Sequence, residues 1–165
     1  MKQLYLIRHA KSSWSRPDLD DFDRPLNKRG RKNAPFMAGR LSARGIFPQR
    51  IVASPAGRAK KTALFIAEGT GFDKNDIIYD MKLYAAEQST YLDSIAYYLG
   101  EVDTLFMVGH NPTITELAEY LTGERFFNVP TCGVVGIGYK GKKGFVKAPG
   151  GGSLLIFDFP KKIVP

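Results

Sequence analysis

Two histidines, each placed directly after an apolar run, are the residues of this sequence best suited to chemistry. Arg8 and His9 follow the run at residues 4–7, and the only other histidine, His110, follows the run at residues 104–108. Short apolar runs are typical of buried strands, so each histidine is predicted to lie at a strand end. A neutral imidazole can attack phosphorus, and a guanidinium binds phosphate oxygens in pairs. The pattern therefore indicates a phosphate site.

A second arginine is predicted at the same rim of the sheet. The apolar run at residues 51–53 leads through Ser54-Pro55-Ala56-Gly57 to Arg58. Ligands of open α/β sheets bind beyond the carboxyl ends of the strands, where Arg58 would join Arg8 and both histidines. Two imidazoles beside two guanidiniums repel a cation and lack the spacing of a usual zinc cluster. We therefore expect no metal and no other cofactor.

The elements that would position these residues alternate along the chain. Short apolar runs separated by segments with helical spacing favour an α/β fold, with a mostly parallel central sheet between two layers of helices. Strands are predicted at residues 4–7, 51–53, 77–79, 104–108, 134–139, 145–147 and 154–159, and helices at 28–41, 58–68, 91–99 and from 113 onward. Gly69, Gly100 and Gly123 are expected to follow helix ends, and Thr113 with Glu116 fits a capping box.

Length and composition limit the class of protein. The 165 residues fit a single domain over 1–165, and no linker or repeat interrupts them. A net charge of +8 favours anionic partners; we expect a phosphorylated substrate, with nucleic acid a weaker match. The single cysteine, Cys132, excludes an intramolecular disulfide. No apolar run reaches the roughly 18 residues of a membrane span. These features predict a cytoplasmic protein, expected to be a monomer.

Three segments resemble the histidine phosphatase superfamily, also called phosphoglycerate mutase-like, in order and spacing. They are Leu6-Ile7-Arg8-His9-Ala10, Ser54-Pro55-x-x-Arg58-Ala59-x-x-Thr62-Ala63 and Val108-Gly109-His110. Two further segments are similar to its SixA-type branch, the phosphohistidine phosphatases: Arg8-His9-Ala10-Lys11-Ser12-Ser13-Trp14 and Asp23-Arg24-Pro25-Leu26-Asn27-x-x-Gly30. The resemblance implies that His9 is the nucleophile, that Arg8 and Arg58 hold the phosphoryl group, and that His110 binds it and stabilises the transition state.

Two polar residues near these motifs have two interpretations each. Asn27 could donate a hydrogen bond to phosphate, or it could cap the helix that follows it. Glu87 lies where many members of the superfamily carry an acid that protonates the leaving group, and it could equally precede or cap the next helix. The SixA-type branch manages without a dedicated donor, because the imidazole of phosphohistidine leaves more readily than an alkoxide.

The resemblance implies a phosphatase acting on phosphohistidine in a protein. One alternative is a phosphatase of small phosphomonoesters. Another is a module that binds a phosphoprotein without turnover, although pure binding needs arginines and not the nucleophile His9.

Overall fold

The computed structural model describes residues 1–163, so the last two positions of the predicted domain lie outside the described residues. Within that range six strands form one sheet and four α-helices flank it. The strands are β1 (Lys2–Arg8), β2 (Arg50–Ala53), β3 (Ile78–Tyr79), β4 (Thr104–Gly109), β5 (Val134–Tyr139) and β6 (Ser153–Asp158). The helices are α1 (Lys28–Ala43), α2 (Gly57–Thr70), α3 (Gln88–Gly100) and α4 (Thr113–Thr122). None of the four could cross a membrane, being too short or too polar.

The sheet has the strand order β3-β2-β4-β1-β5-β6. The first four strands in this order run parallel, whereas β5 pairs antiparallel with β1 and with β6. The carboxyl ends of β1, β2 and β4 therefore lie at one rim. The predicted α/β fold with a mostly parallel sheet is confirmed.

Helices cover both faces of the sheet, which explains why residues 4–7 of the first strand are all apolar. Successive residues of a strand point to opposite faces. Tyr5 and Ile7 belong to the core shared with α1 and α2, and Leu4 and Leu6 belong to the core shared with α3 and α4. All four side chains are buried. The strand is held from both sides, so the residue that follows it has a fixed position.

Four local predictions are wrong. Residues 145–147 form no strand; they lie in a loop where Gly144 and Gly150 adopt left-handed conformations that interrupt strand pairing. Helix α2 continues through Gly69. The glycine at this position allows α1 to pack closely on α2, because a Cβ there would lie 2.4 Å from the Cβ of Ala38. The helix is instead followed by Gly71, with a φ of 70°.

The third wrong prediction is the capping box at the start of α4. The Thr113 hydroxyl donates to the Ala86 carbonyl, and Asn111 Oδ1 accepts from the Thr115 N–H instead. At the other helix ends, Gly100 is the last residue of α3 and not the residue after it. Gly123 follows α4 with a φ of 76°, as predicted.

Candidate active site

Strand register brings the two histidines together. Arg8 of β1 pairs with Gly109 of β4, so the next residues, His9 and His110, leave neighbouring parallel strands at the same level. Their ring centroids are 5.3 Å apart. The adjacent β2 ends one residue earlier in the register, because its last residue, Ala53, pairs with Val108. The Ser54 N–H then donates to the Val108 carbonyl. The predicted meeting of strand ends at one rim therefore includes both imidazoles.

The backbone of His9 is fixed on both sides. Its N–H donates to the Gly109 carbonyl at 3.0 Å, and its carbonyl accepts from the Cys132 N–H at 3.1 Å. The N–H of Arg8 donates to the Gly133 carbonyl at 3.0 Å. The loop before β5 thus continues the hydrogen bonding of the sheet past the end of β1 and holds the first histidine in place.

The hydrogen bonding of His9 determines which ring nitrogen carries the lone pair. Nδ1 lies 2.7 Å from the Ala10 carbonyl oxygen. A carbonyl only accepts, so Nδ1 carries the proton and Nε2 of the neutral ring is left with a lone pair. Burial, together with the nearby charges of Arg58 and Arg8, lowers the pKa of His9 to about 3. The ring is therefore neutral at pH 7.

His110 is held from two sides. Its Nε2 lies 2.8 Å from the Ser54 hydroxyl, and the Tyr84 ring packs edge-on at 5.8 Å. Burial, together with the charge of Arg58, lowers the pKa of His110 to about 4. Its Nδ1 is buried and has no hydrogen-bond partner within residues 1–163. This second imidazole is also neutral at pH 7.

The two arginines are positioned by different loops. Arg8 donates through Nη1 to the Val129 carbonyl at 2.9 Å, and burial lowers its pKa. Arg58, in the first turn of α2, donates through Nη1 to the main-chain oxygen of Asp21 at 2.7 Å and through Nη2 to its carboxylate at 3.0 Å. Both arginines are close enough to His9 to lower its pKa.

A threonine in α2 connects the residue after His9 to the helix that carries Arg58. Thr62 Oγ1 accepts from the Ala10 N–H at 3.0 Å and donates to the Arg58 carbonyl at 2.7 Å. Neither Thr62 nor Ala10 is exposed to solvent. One hydroxyl therefore fixes the loop after His9 relative to α2.

Comparison with known proteins identifies the family of the chain. Residues 4–91 match the family model of the histidine phosphatase superfamily (branch 1). The chain belongs to this superfamily. A SixA protein of known structure from Agrobacterium tumefaciens is 32% identical with a TM-score of 0.82, and the match covers 96% of this chain and 98% of that one. The predicted SixA-type resemblance is confirmed.

Two further relatives extend the comparison. The protein histidine phosphatase SixA complexed with tungstate shares the fold, with a TM-score of 0.81, 19% identity and coverage of 96% of this chain and 97% of that one. An uncharacterized chloroplastic protein of Arabidopsis thaliana is 32% identical over 139 residues, or 79% of this chain. The chain spans 63% of the length of that plant protein.

Two residues that the sequence left open have definite positions in this histidine phosphatase. Asn27 caps α1, with its Oδ1 accepting from the Gly30 N–H at 2.9 Å, which leaves its amide nitrogen for other contacts. Glu87 precedes α3 and makes no side-chain cap there. It lines a cavity of about 370 Å³ together with His110 and Glu116.

Sequence reasoning missed Asp21 and Tyr84. The Asp21 carboxylate accepts from Arg58, from Arg24 at 3.1 Å and from the Tyr84 hydroxyl at 2.8 Å. Asp21 lies in an acidic loop without hydrophobic periodicity. Tyr84 lies 63 residues later in the sequence, after α2. No local pattern brings them together. The superfamily motifs contained Arg58 and Arg24, which contact Asp21, but neither Asp21 nor Tyr84 itself.

Proposed function

We propose that this histidine phosphatase removes the phosphoryl group from phosphohistidine in a protein, through a covalent intermediate on His9. The observation that supports it is the neutral His9 ring, whose Nδ1 donates to the Ala10 carbonyl so that the lone pair of Nε2 is left to attack. Arg8 and Arg58 lie beside this ring as the phosphate-binding cations. His110 would contact the phosphoryl group from the neighbouring strand end.

In the first step, His9 Nε2 forms a bond to phosphorus while the P–N bond of the substrate breaks in line. The electron pair of that bond goes to the departing imidazole, which takes up a proton from solvent. Charge during such a transfer is spread over three equatorial oxygens. Arg8 and Arg58 stabilise it through paired N–H donors. The bond from Nδ1 to Ala10 keeps the ring oriented throughout.

In the second step, a water oxygen attacks the phosphorus of the phosphorylated His9. The P–Nε2 bond breaks and returns its electron pair to the ring. The protons of the water are shared between the phosphate formed and the solvent. His9 is thereby regenerated, with its Nδ1 proton still directed to the Ala10 carbonyl, and inorganic phosphate leaves from between the arginines.

The acid–base character of the site favours a phosphoramidate substrate. Burial raises the pKa of the Asp21 carboxyl, but hydrogen bonds from Tyr84, Arg58 and Arg24 outweigh it and hold the pKa at about 2. Asp21 is therefore ionised at pH 7 and cannot protonate a leaving group. Imidazole needs no strong acid to depart, whereas an alkoxide does. A phosphorylated histidine, exposed on a cytoplasmic partner protein, suits these residues best.

A phosphatase of small phosphomonoesters is the second candidate, favoured by one observation. Glu87 lines the same cavity as His110, from where a carboxylic acid could protonate an alkoxide. Glu87→Gln would then slow hydrolysis of an alkyl phosphate on the order of 10²-fold and leave a phosphohistidine protein unaffected. An unchanged rate on both substrates removes Glu87 from the chemistry.

The test of the proposed function compares a phosphohistidine protein with an aryl phosphate and a sugar phosphate at equal concentration. We expect the phosphohistidine protein to give the highest kcat/KM, and His9→Ala to abolish turnover of all three. Arg58→Ala should lower the rate on the order of 10²- to 10³-fold. Lys140→Ala, an exposed change in the turn after β5, is the matched control.

Three results would contradict the proposal. Turnover retained by His9→Ala would remove the covalent mechanism. A sugar phosphate cleaved as fast as the phosphohistidine protein would remove the substrate assignment. Tight binding of the phosphoprotein with no turnover by the wild type would identify the chain as a binding module.

A further inference from the structure

The loop between Ser12 and Leu26 covers one side of the phosphate site and is closed at its base. Ser12 and Leu26 form an isolated antiparallel bridge, and the Ser13 N–H donates to the Pro25 carbonyl at 2.8 Å. Asp21, at the start of a short 3-10 turn (Asp21–Asp23), is the residue of this loop that contacts Arg58. The loop therefore places a carboxylate against a phosphate-binding arginine.

The contacts of Asp21 leave Arg58 able to bind a phosphoryl group at the same time. A guanidinium has five N–H donors. Asp21 takes one from each terminal nitrogen, through its main-chain oxygen and through Oδ2. Nε–H and one N–H on each terminal nitrogen remain. Asp21 thus orients the guanidinium without using up its donors.

The charge of Asp21 is as important as its hydrogen bonds. At pH 7 the described site contains two neutral imidazoles, the guanidiniums of Arg8 and Arg58, and the ionised Asp21, whose other carboxylate oxygen pairs with Arg24. The Asp21 carboxylate offsets part of the positive charge that these arginines place at the site. A phosphoryl group in transfer resembles metaphosphate, with about one negative charge, whereas free phosphate near pH 7.5 is largely a dianion. A site with reduced positive charge favours the former over the latter.

We propose that Asp21 positions Arg58 and, through its negative charge, weakens the hold of the site on free phosphate, so that the product is released. The benefit rests on the proposed phosphatase function, because only turnover generates phosphate in the site. Interactions that are stronger in the transition state than in the bound product raise the rate. A carboxylate beside one arginine provides this difference.

Tyr84 helps to hold the Asp21 carboxylate in place. Its hydroxyl donates to Asp21 Oδ2, its ring packs edge-on against Phe22 at 5.0 Å, and its other side faces His110. Arg24 holds the second carboxylate oxygen and also donates to the Ser12 hydroxyl at 2.6 Å. Asp21 is therefore a fixed charge and not a freely rotating side chain, although half of it is exposed.

The test measures the Kd of inorganic phosphate by calorimetry at pH 7.5 and low salt. Asp21→Asn removes the charge and keeps an oxygen that accepts from Tyr84 or Arg58. We expect it to bind phosphate on the order of tenfold more tightly, the size expected for one partly screened charge several ångströms away. A purely structural defect would instead weaken binding. Asp21→Ser is a second neutral variant should the asparagine variant fail to fold.

Asp23→Asn is the matched control, because it removes an equal charge from the same turn. The Asp23 side chain is exposed, and none of the hydrogen bonds or ion pairs within residues 1–163 involves its carboxylate. The Kd of inorganic phosphate for Asp23→Asn should stay within twofold of the wild-type value. Tyr84→Phe, which keeps the Asp21 charge, should also stay within about twofold to threefold.

Unchanged or weaker phosphate binding by a folded Asp21→Asn would overturn the inference, as would an equal gain in Asp23→Asn. Calorimetry needs no turnover, so this outcome is separate from a failure of the proposed function. A wild type that binds phosphate but cleaves no substrate would refute the phosphatase and leave the charge effect measurable.

Discussion

Replacement of Thr62 by valine tests whether one buried hydroxyl joins the loop after His9 to α2. Valine has nearly the same shape, so packing is preserved while the oxygen is lost. The Ala10 N–H, which donates to Thr62 Oγ1 at 3.0 Å, would lose its acceptor. Both residues are completely buried, so no water can replace the lost oxygen without rearrangement.

The expected cost follows from that single unsatisfied donor. A buried polar group left without a partner costs about 1–3 kcal/mol. The bond from the Thr62 hydroxyl to the Arg58 carbonyl is also lost. We therefore expect Thr62→Val to lower the free energy of unfolding by about 2 kcal/mol, and Tm by roughly 4–8 °C for a domain of this size.

Urea or guanidinium denaturation, followed by far-UV circular dichroism, measures the difference. Thr70→Val is the matched control in the same helix: its hydroxyl donates to the Ile66 carbonyl, and none of the N–H groups within residues 1–163 donates to it. It loses a hydroxyl-to-carbonyl bond but leaves no buried N–H unpaired, so it should cost at most about 1 kcal/mol. Thr62→Ser should recover most of the loss. Equal destabilisation by both valine variants would refute the reasoning.

Two further predictions concern the histidines and a glycine of the site. Burial lowers the pKa values of His9 and His110 to about 3 and about 4 from 6.5, so between pH 6.5 and 4 the unfolded chain binds more protons than the folded one. The free energy of unfolding should therefore decrease as the pH is lowered through that window, by at most about 1.4 kcal/mol per pH unit for each histidine. In denaturation curves, His110→Asn should make this dependence on pH shallower; an unaltered slope would contradict this assignment. Gly109→Ala would place a Cβ 2.2 Å from the Tyr91 hydroxyl, which accepts from the His110 N–H. It should cost about 1–3 kcal/mol, whereas Gly100→Ala, with open space around it, should cost nothing measurable by thermal denaturation; similar losses in both would argue against this contact.

The rim of the sheet could be predicted because its residues follow directly on apolar strands. Periodicity located β1, β2 and β4, and the chain direction then determined which ends carry Arg8, Arg58, His9 and His110. Asp21 could not be found this way, since its position depends on a loop folding back between Ser12 and Leu26. Contacts of that kind join residues far apart in sequence and leave no local pattern.

Errors in the predicted elements have a similar origin. Gly69 was expected to follow the end of a helix, but close packing against Ala38 uses the glycine inside α2. The Thr113 hydroxyl, expected in a capping box, donates to Ala86 on a separate segment. In both cases a tertiary contact outweighs the local preference, which sequence alone does not reveal.

The fixed backbone of His9 has a consequence for how the site changes during reaction. Its N–H and carbonyl are both bonded, to Gly109 and Cys132, and the preceding Arg8 is bonded to Gly133. An imidazole held in this way has little reorganisation energy, because its position is set when the sheet folds. In the proposed reaction, adjustment to a protein substrate comes from the surrounding loops, while His9 Nε2 keeps its place.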